Sequence, residues 1–229
     1  MTLTVDAAVQ PFAPGQFLNL GLEVESARLF RSYSVASAPG AALEFLLTEV
    51  GGGKLSPALF QAEPGQAVFV DPNPQGFFTL DWVPDAQDLW MVATGTGLAP
   101  FLSMLRSGLA LARFPQIVVV HGVREARHLA YAEELRRLAE ATAGRVRIVP
   151  VVSRDGDPAG GIRGRVTSAL ADGRLEGRAG LELSPARSHL LLCGNPAMIA
   201  EMQAALALRG LLRHRVRRPG HVTVEKYWD

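Results

Sequence analysis

The chain has 229 residues, 48% hydrophobic and 20% charged, which fits two compact domains of roughly 100–150 residues and excludes a disordered chain. A formal net charge of +1 gives no global pull towards nucleic acid or an anionic membrane. One cysteine, Cys193, excludes an intramolecular disulfide, and five scattered histidines make no metal-ligand pattern. No basic patch followed by an apolar run opens the chain. The most apolar stretch, Leu89–Leu105, is broken by Gly95, Gly97 and Pro100 and falls short of the ~20 residues a spanning helix needs. A cytoplasmic protein is therefore expected. The charge is unevenly spread: three basic residues face eight acidic ones up to residue 83, against 20 and 14 beyond it. Arginine supplies 21 of the 23 basic residues.

The first third reads as β. Short apolar segments at Phe17–Gly21, Leu43–Val50 and Gln66–Val70 are punctuated by Pro14-Gly15, Pro39-Gly40, Gly51-Gly52-Gly53 and Pro64-Gly65. Closely spaced strands of this kind suggest a small antiparallel barrel or sandwich. One short helix interrupts them, with Ser56 as expected N-cap and Pro57 at its first position. Past Trp82–Gln87 the period changes. Asp88–Ala93, Gln116–His121, Val146–Val152 and His189–Cys193 are mostly apolar runs, the signature of parallel strands buried on both faces. Between them lie helical patterns. One carries the apolar stripe Leu129, Ala132, Leu135, Leu138 and Ala139 and stops at Gly144. Another spans Pro196–Arg209 with Asn195 as cap. The expected architecture is a β domain over residues 1–83, followed by a doubly wound α/β domain over 84–229.

Four segments carry candidate chemistry. Arg31-Ser32-Tyr33-Ser34 reads either as an ordinary strand or as a flavin site. In the second reading Arg forks onto phosphate, Tyr lies against a ring and Ser offers a hydroxyl. Thr94-Gly95-Thr96-Gly97-Leu98-Ala99-Pro100 joins a buried strand to a helix. Such a turn is either a structural necessity or an approach to a pyrophosphate. Cys193-Gly194-Asn195-Pro196 repeats that arrangement at another strand end, where parallel sheets bind ligands. The chain ends Glu225-Lys226-Tyr227-Trp228-Asp229, two aromatics at a terminus that would fray unless tied down.

Together, Arg-x-Tyr-Ser, Gly-Lys-Leu-Ser-Pro, Gly-Thr-Gly-Leu-Ala-Pro, Cys-Gly-Asn-Pro and Glu-x-Tyr-Trp resemble the ferredoxin–NADP reductase family, from about Phe12 to Trp228. The likeness is nearest to its bacterial branch, which ends in an aromatic pair. It implies an antiparallel β-barrel binding FAD, then a parallel-sheet domain binding NADP(H). It further implies that Arg31 reaches the FAD phosphates, Ser32 belongs to the FAD site, Tyr33 stacks on the flavin and Ser34 lies near its reactive nitrogen. Leu46 and Thr48 belong to the same FAD site, and Lys54, Leu55 and Ser56 cradle the pyrophosphate. Thr96 touches flavin and nicotinamide, while Tyr227 and Trp228 cover the other flavin face. Gly95, Gly97, Ser153, Gly194 and Asn195 serve NADP. Cys193 borders the nicotinamide pocket, and Glu225 matches a carboxylate linked to proton movement. Ser34, Cys193 and Glu225 are thus the implied catalytic residues, and no metal is implied.

Preference for the 2′-phosphate of NADPH has its own argument. Arg124 and Arg154 follow consecutive strands, and Arg165 sits a few residues on, so permanent charges converge on the ligand-binding rim. The run Arg209, Arg213, Arg215, Arg217 and Arg218 offers a basic docking surface for the family's acidic carriers, ferredoxin and flavodoxin. A monomer is expected. The family barrel carries about one strand before the segment resembling Leu3-Thr4-Val5. The resemblance therefore implies a truncated or misassigned start, or a barrel lacking its first strand, with weaker FAD retention than in an extended form. Alternatives are an oxygenase reductase or NAD(P)H-flavin reductase, and a non-catalytic flavin-binding electron-transfer subunit.

Overall fold

The computed structural model describes residues 1–154 and 160–226. They form two compact units, each drawn from two stretches of chain: Met1–Asp81 with Ala99–Leu109, and Trp82–Leu98 with Ala110–Asp229.

In the first unit, β1 (Thr2–Val5) is one half of a two-stranded antiparallel sheet. β2 (Phe17–Val24) and β3 (Ala27–Ser34) form a hairpin. Its two loop residues, Glu25 and Ser26, both have positive φ (52° and 63°), the twist that a two-residue hairpin loop favours. β4 (Leu43–Leu46) pairs with β1. The helix α1 (Leu55–Gln61) follows. β5 (Phe69–Val70) then joins β2 on its other side, giving the order β3-β2-β5. A bridge between Val35 and Phe45 links the two antiparallel sheets. Leu18, Leu20 and Leu22 alternate inward along β2 and pack with Phe45, Leu55 and Leu59. The helix α2 (Ala99–Arg106) belongs to this unit: Ser103 Oγ donates to Ser37 O (2.7 Å) and Arg106 Nη1 to Ala36 O (2.9 Å).

Two strand expectations here are corrected. The run from Leu43 is a strand only to Leu46: Leu47 still exchanges both backbone bonds with Met1 (2.8 and 3.0 Å), but by Val50 the N–H has turned to Ser56 Oγ (2.9 Å). The segment expected over Gln66–Val70 is extended only at Phe69–Val70, because Gln66 N closes a turn onto Glu63 O (3.0 Å).

The second unit is a six-stranded parallel sheet. It contains β6 (Asp88–Thr94), β7 (Gln116–Val123), β8 (Val146–Val152), β9 (Ile162–Arg163), β10 (Ser188–Gly194) and β11 (Val222–Lys226), in the order β11-β10-β6-β7-β8-β9. The connecting helices are α3 (Leu109–Arg113), α4 (Ala132–Ala141), α5 (Val166–Ala171), α6 (Arg174–Ala179) and α7 (Pro196–Leu208). The last three share one core with Trp90, Val118, Val149 and Leu190. Chain order runs outward from β6 to β9, then returns to β10 on the other side of β6. The β6/β10 border is therefore the switch point of the sheet, where the carboxyl ends of such strands open a crevice. At the opposite end, the fully buried Asp88 carboxylate is met by the Arg187 guanidinium fork (2.8 and 3.0 Å) and by Ser188 Oγ (3.2 Å). A buried carboxylate needs such compensation.

Two helical expectations change. α4 begins at Ala132 rather than Leu129, because Tyr131 is left-handed (φ 55°) and breaks the helix there. Ser56 is not an N-cap: it lies inside α1, behind Lys54, and its hydroxyl is occupied by Val50. Asn195 caps α7 as expected, accepting from Ala197 N (2.8 Å) and Met198 N (3.4 Å) with Pro196 first in the helix.

Candidate functional site

In the first unit the segment Arg31–Ser34 runs along β3. Arg31 is exposed and donates from Nη1 to Phe30 O (2.7 Å), leaving most of its fork to solvent. Ser32 Oγ donates to Asn19 Oδ1 on the paired strand (2.8 Å). Tyr33 is half-buried. Burial pushes its phenol up from the ordinary value, against a smaller opposing pull from Arg31. Ser34 is buried at the strand end. Leu46 is buried, Thr48 is exposed, and Lys54 pairs with Glu25 (2.5 Å).

In the second unit two strand ends meet at the switch point. Gly95–Leu98 forms a 3-10 turn after β6, beside Gly194 at the end of β10. A Cβ on Gly97 would lie 2.5 Å from Cys193 O. One on Gly194 (φ +123°) would lie 2.4 Å from Thr94 Oγ1 and 2.6 Å from Thr94 O. These glycines let one turn press on the other. Gly95, by contrast, has open space around its Cβ position and a positive φ of 55°. Thr94 Oγ1 accepts the Asn195 N–H (2.9 Å), tying the two turns together. Thr96, half-buried, lies within the first of these turns, between Gly95 and Gly97.

His121 was not anticipated as a site residue. Its buried Nε2 lies 3.0 Å from Gly95 O, and a carbonyl only accepts, so that nitrogen carries the proton. Burial lowers its pKa to about 4, against the opposing effect of the Gly95 carbonyl, so the ring is neutral at pH 7. One polar residue inside the apolar run Gln116–Val123 was the signal.

Cys193 is fully buried and pairs in register with Ala93 and with Glu225 on β11. Among the described residues Glu225 Oε2 is buried without a hydrogen-bond partner, and burial pushes the carboxyl up to about 7. Such an atom calls for a proton or a ligand. The raised value has a consequence for stability. Between about pH 4.5 and 7 the folded state holds a proton that the unfolded state has lost, so stability falls as pH rises through that window. Relative to Glu225→Gln, the wild-type melting temperature is expected to drop across this window and then level off. A pH-independent difference between the two melting curves would contradict this.

The arginines come from three adjacent strands. Val123 pairs with Val152, and Val152 with Arg163, so these strand ends are level. Arg124 follows Val123. Arg154 N donates to Arg124 O (2.8 Å) and Ser153 N to Val123 O (3.0 Å). Gly164 N donates to Val152 O (2.8 Å), and Arg165 follows as the extended residue before α5. Arg124, Arg154 and Arg165 are all exposed, and among the described residues none of them is in an ion pair. This donor set suits a phosphate dianion. A carboxylate also stands at these strand ends. Glu125 follows Arg124 directly, but it is held by Arg127 (2.7 Å).

The basic run is also changed. Arg209 pairs with Glu176 (2.7 and 2.8 Å), so its charge is committed. Arg213, Arg215, Arg217 and Arg218 are exposed. They lead into the amino end of β11, opposite the rim that holds Gly194 and Glu225. Tyr227 and Trp228 lie outside the described residues. Among the described residues no cluster of three ligands could hold a metal, and no helix is long and apolar enough to cross a membrane.

Residues 1–79 match the family described as oxidoreductase FAD-binding domain, and residues 91–204 the oxidoreductase NAD-binding domain. The flavodoxin/ferredoxin–NADP reductase of Escherichia coli (strain K12) is 44% identical over 229 residues, covering 99% of this chain and 92% of the relative. The ferredoxin–NADP reductase of Azotobacter vinelandii is 33% identical, covering 94% and 86%. The crystal structure of a ferredoxin NADP+ reductase from Neisseria gonorrhoeae with bound FAD and NADP superposes with a TM-score of 0.88. It is 30% identical and covers 99% of this chain and 91% of that one.

Proposed function

The chain belongs to the flavodoxin/ferredoxin–NADP reductase family, and from that premise we propose how its residues divide the work. The protein is an oxidoreductase that passes electrons between NADPH and a one-electron carrier, ferredoxin or flavodoxin, through bound FAD. When bound, flavin and nicotinamide supply the conversion of a two-electron hydride into single electrons. The protein supplies binding, orientation and electrostatics.

In the first unit, Arg31 takes FAD phosphate, the half-exposed Tyr33 offers its ring and Ser34 its hydroxyl. Leu46 and Thr48 line the site, and the main-chain donors of Lys54, Leu55 and Ser56 face the pyrophosphate. In the second unit, Gly95, Thr96, Gly97, Gly194 and Asn195 shape the crevice for NADP(H), walled by buried Cys193. Arg124, Ser153, Arg154 and Arg165 take the adenosine end. Glu225 holds or passes a proton at its carboxyl, poised near neutral pH. The observation that supports the nucleotide preference most is the level backbone register of three exposed arginines at neighbouring strand ends, none of them in an ion pair among the described residues.

Arg213, Arg215, Arg217 and Arg218 steer an acidic carrier by long-range attraction, without Arg209. A monomer is the working unit in this reading. A cytoplasmic setting suits a chain with a single cysteine. The test is to reduce FAD-loaded protein with NADPH under nitrogen and add oxidised flavodoxin or ferredoxin. Reduction of the carrier, seen in its own spectrum, is expected at low salt and slows as salt rises. A reduced flavin that leaves both carriers oxidised would contradict the assignment.

A further inference from the structure

Two arginines of α6, which the site has not yet used, reach the chain that carries Arg165. Arg174 Nη1 donates to Arg163 O (2.6 Å), while its Nε and Nη2 are gripped by Asp172 (2.9 and 2.7 Å). Arg178 Nε donates to Gly160 O. The two carbonyls stand on either side of Ile162, so the guanidiniums hold β9 at both ends. A glycine with left-handed φ stands at or beside each carbonyl. A Cβ on Gly164 (φ +129°) would lie 3.4 Å from Arg174 Nη2, and one on Gly160 (φ +82°) 3.3 Å from Arg178 Nη2. β9 needs such help: it is two residues long, sits at the sheet edge and, among the described residues, pairs only with β8. A short edge element with few partners opens readily on its own.

We propose that Arg174 and Arg178 are positioning residues for 2′-phosphate recognition, fixing the backbone from Gly160 to Gly164 so that Arg165 is presented level with Arg124 and Arg154. This rests on the reading of those three arginines as the phosphate clamp. A braced backbone holds the charge in place before the nucleotide arrives, so less ordering is required on binding. Neither brace guanidinium needs to touch the nucleotide. Arg174 spends its donors on Asp172 and on a main-chain carbonyl, and the point-like ammonium of a lysine in its place would not reproduce the planar fork that spans both.

The test uses the FAD-loaded full chain and two probes, adenosine 2′,5′-bisphosphate and adenosine 5′-monophosphate, titrated by calorimetry. Arg174→Ala with Arg178→Ala is expected to weaken the bisphosphate about 3- to 10-fold and to leave the monophosphate unchanged. Arg174→Lys should fall between wild type and Arg174→Ala. In hydrogen exchange, the Gly164 amide, bonded to Val152 O, should exchange faster in Arg174→Ala than in wild type. Arg165→Ala is the reference. If it abolishes the preference for the bisphosphate and the α6 variants do not change it, the brace is overturned and the clamp stands. Equal weakening of both probes by the α6 variants, or an unchanged Gly164 amide, also overturns the brace. If Arg165→Ala, Arg124→Ala and Arg154→Ala all leave the preference intact, the clamp fails and the brace with it.

Discussion

Replacing Arg124 and Arg154 together by alanine is expected to cut kcat/KM for NADPH by roughly 30- to 900-fold and to leave NADH nearly unchanged. That range corresponds to about 2–4 kcal/mol, the loss of two charge-assisted contacts to phosphate. The lower end applies if water and salt screen the exposed rim strongly. The expectation rests on backbone register: Arg154 N bonds Arg124 O (2.8 Å), which brings the two residues together through the main chain. NADH lacks the 2′-phosphate, so it never met those charges. Parallel losses for both nucleotides would mean that the arginines support the crevice in general. They would then not read the phosphate.

A comparably large effect is expected from Gly194→Ala. The added methyl would meet Thr94 Oγ1 at 2.4 Å and Thr94 O at 2.6 Å, at a φ of +123° that an L side chain rarely adopts. Backbone strain of about 1–3 kcal/mol and overpacking of about 1–3 kcal/mol act together. Relief requires the β6 and β10 turns to part, which breaks the bond from Asn195 N to Thr94 Oγ1. The melting temperature should fall by several degrees, and use of both nucleotides should suffer alike, unlike in the arginine variant. Gly95→Ala is the contrast, because no atom lies within 4 Å of its Cβ position. Its cost is confined to the positive φ. Equal effects from the two glycine substitutions would show that turn conformation matters and packing between the turns does not.

Much of this is legible in the sequence. The long parallel strands announce themselves as unbroken apolar runs, because both their faces are buried. Arg124 and Arg154 stand out because each directly follows such a run or its short tail. β9 is invisible in sequence, because two residues, Ile162 and Arg163, carry no period and are held by side chains from α6. Ser56 misled because a serine before a helix suggests a cap, whereas its hydroxyl serves Val50. Arg209 looked like part of a docking surface because its partner Glu176 is 33 residues away in the chain. Glu225 could be recognised by likeness to a family, but its burial and its carboxyl poised near 7 belong to the three-dimensional structure. The same holds for His121, whose tautomer is fixed by a carbonyl 26 residues earlier.

The most direct measurement is anaerobic mixing of FAD-loaded protein with NADPH and, separately, NADH, following the loss of visible flavin absorbance in a stopped-flow instrument. NADPH should bleach the flavin much faster than NADH at equal concentration, and the Arg124→Ala, Arg154→Ala variant should bring the two rates close together. A flavin that neither nucleotide bleaches, or that both bleach equally in the wild type, would contradict an NADPH-dependent reductase built on this arginine clamp.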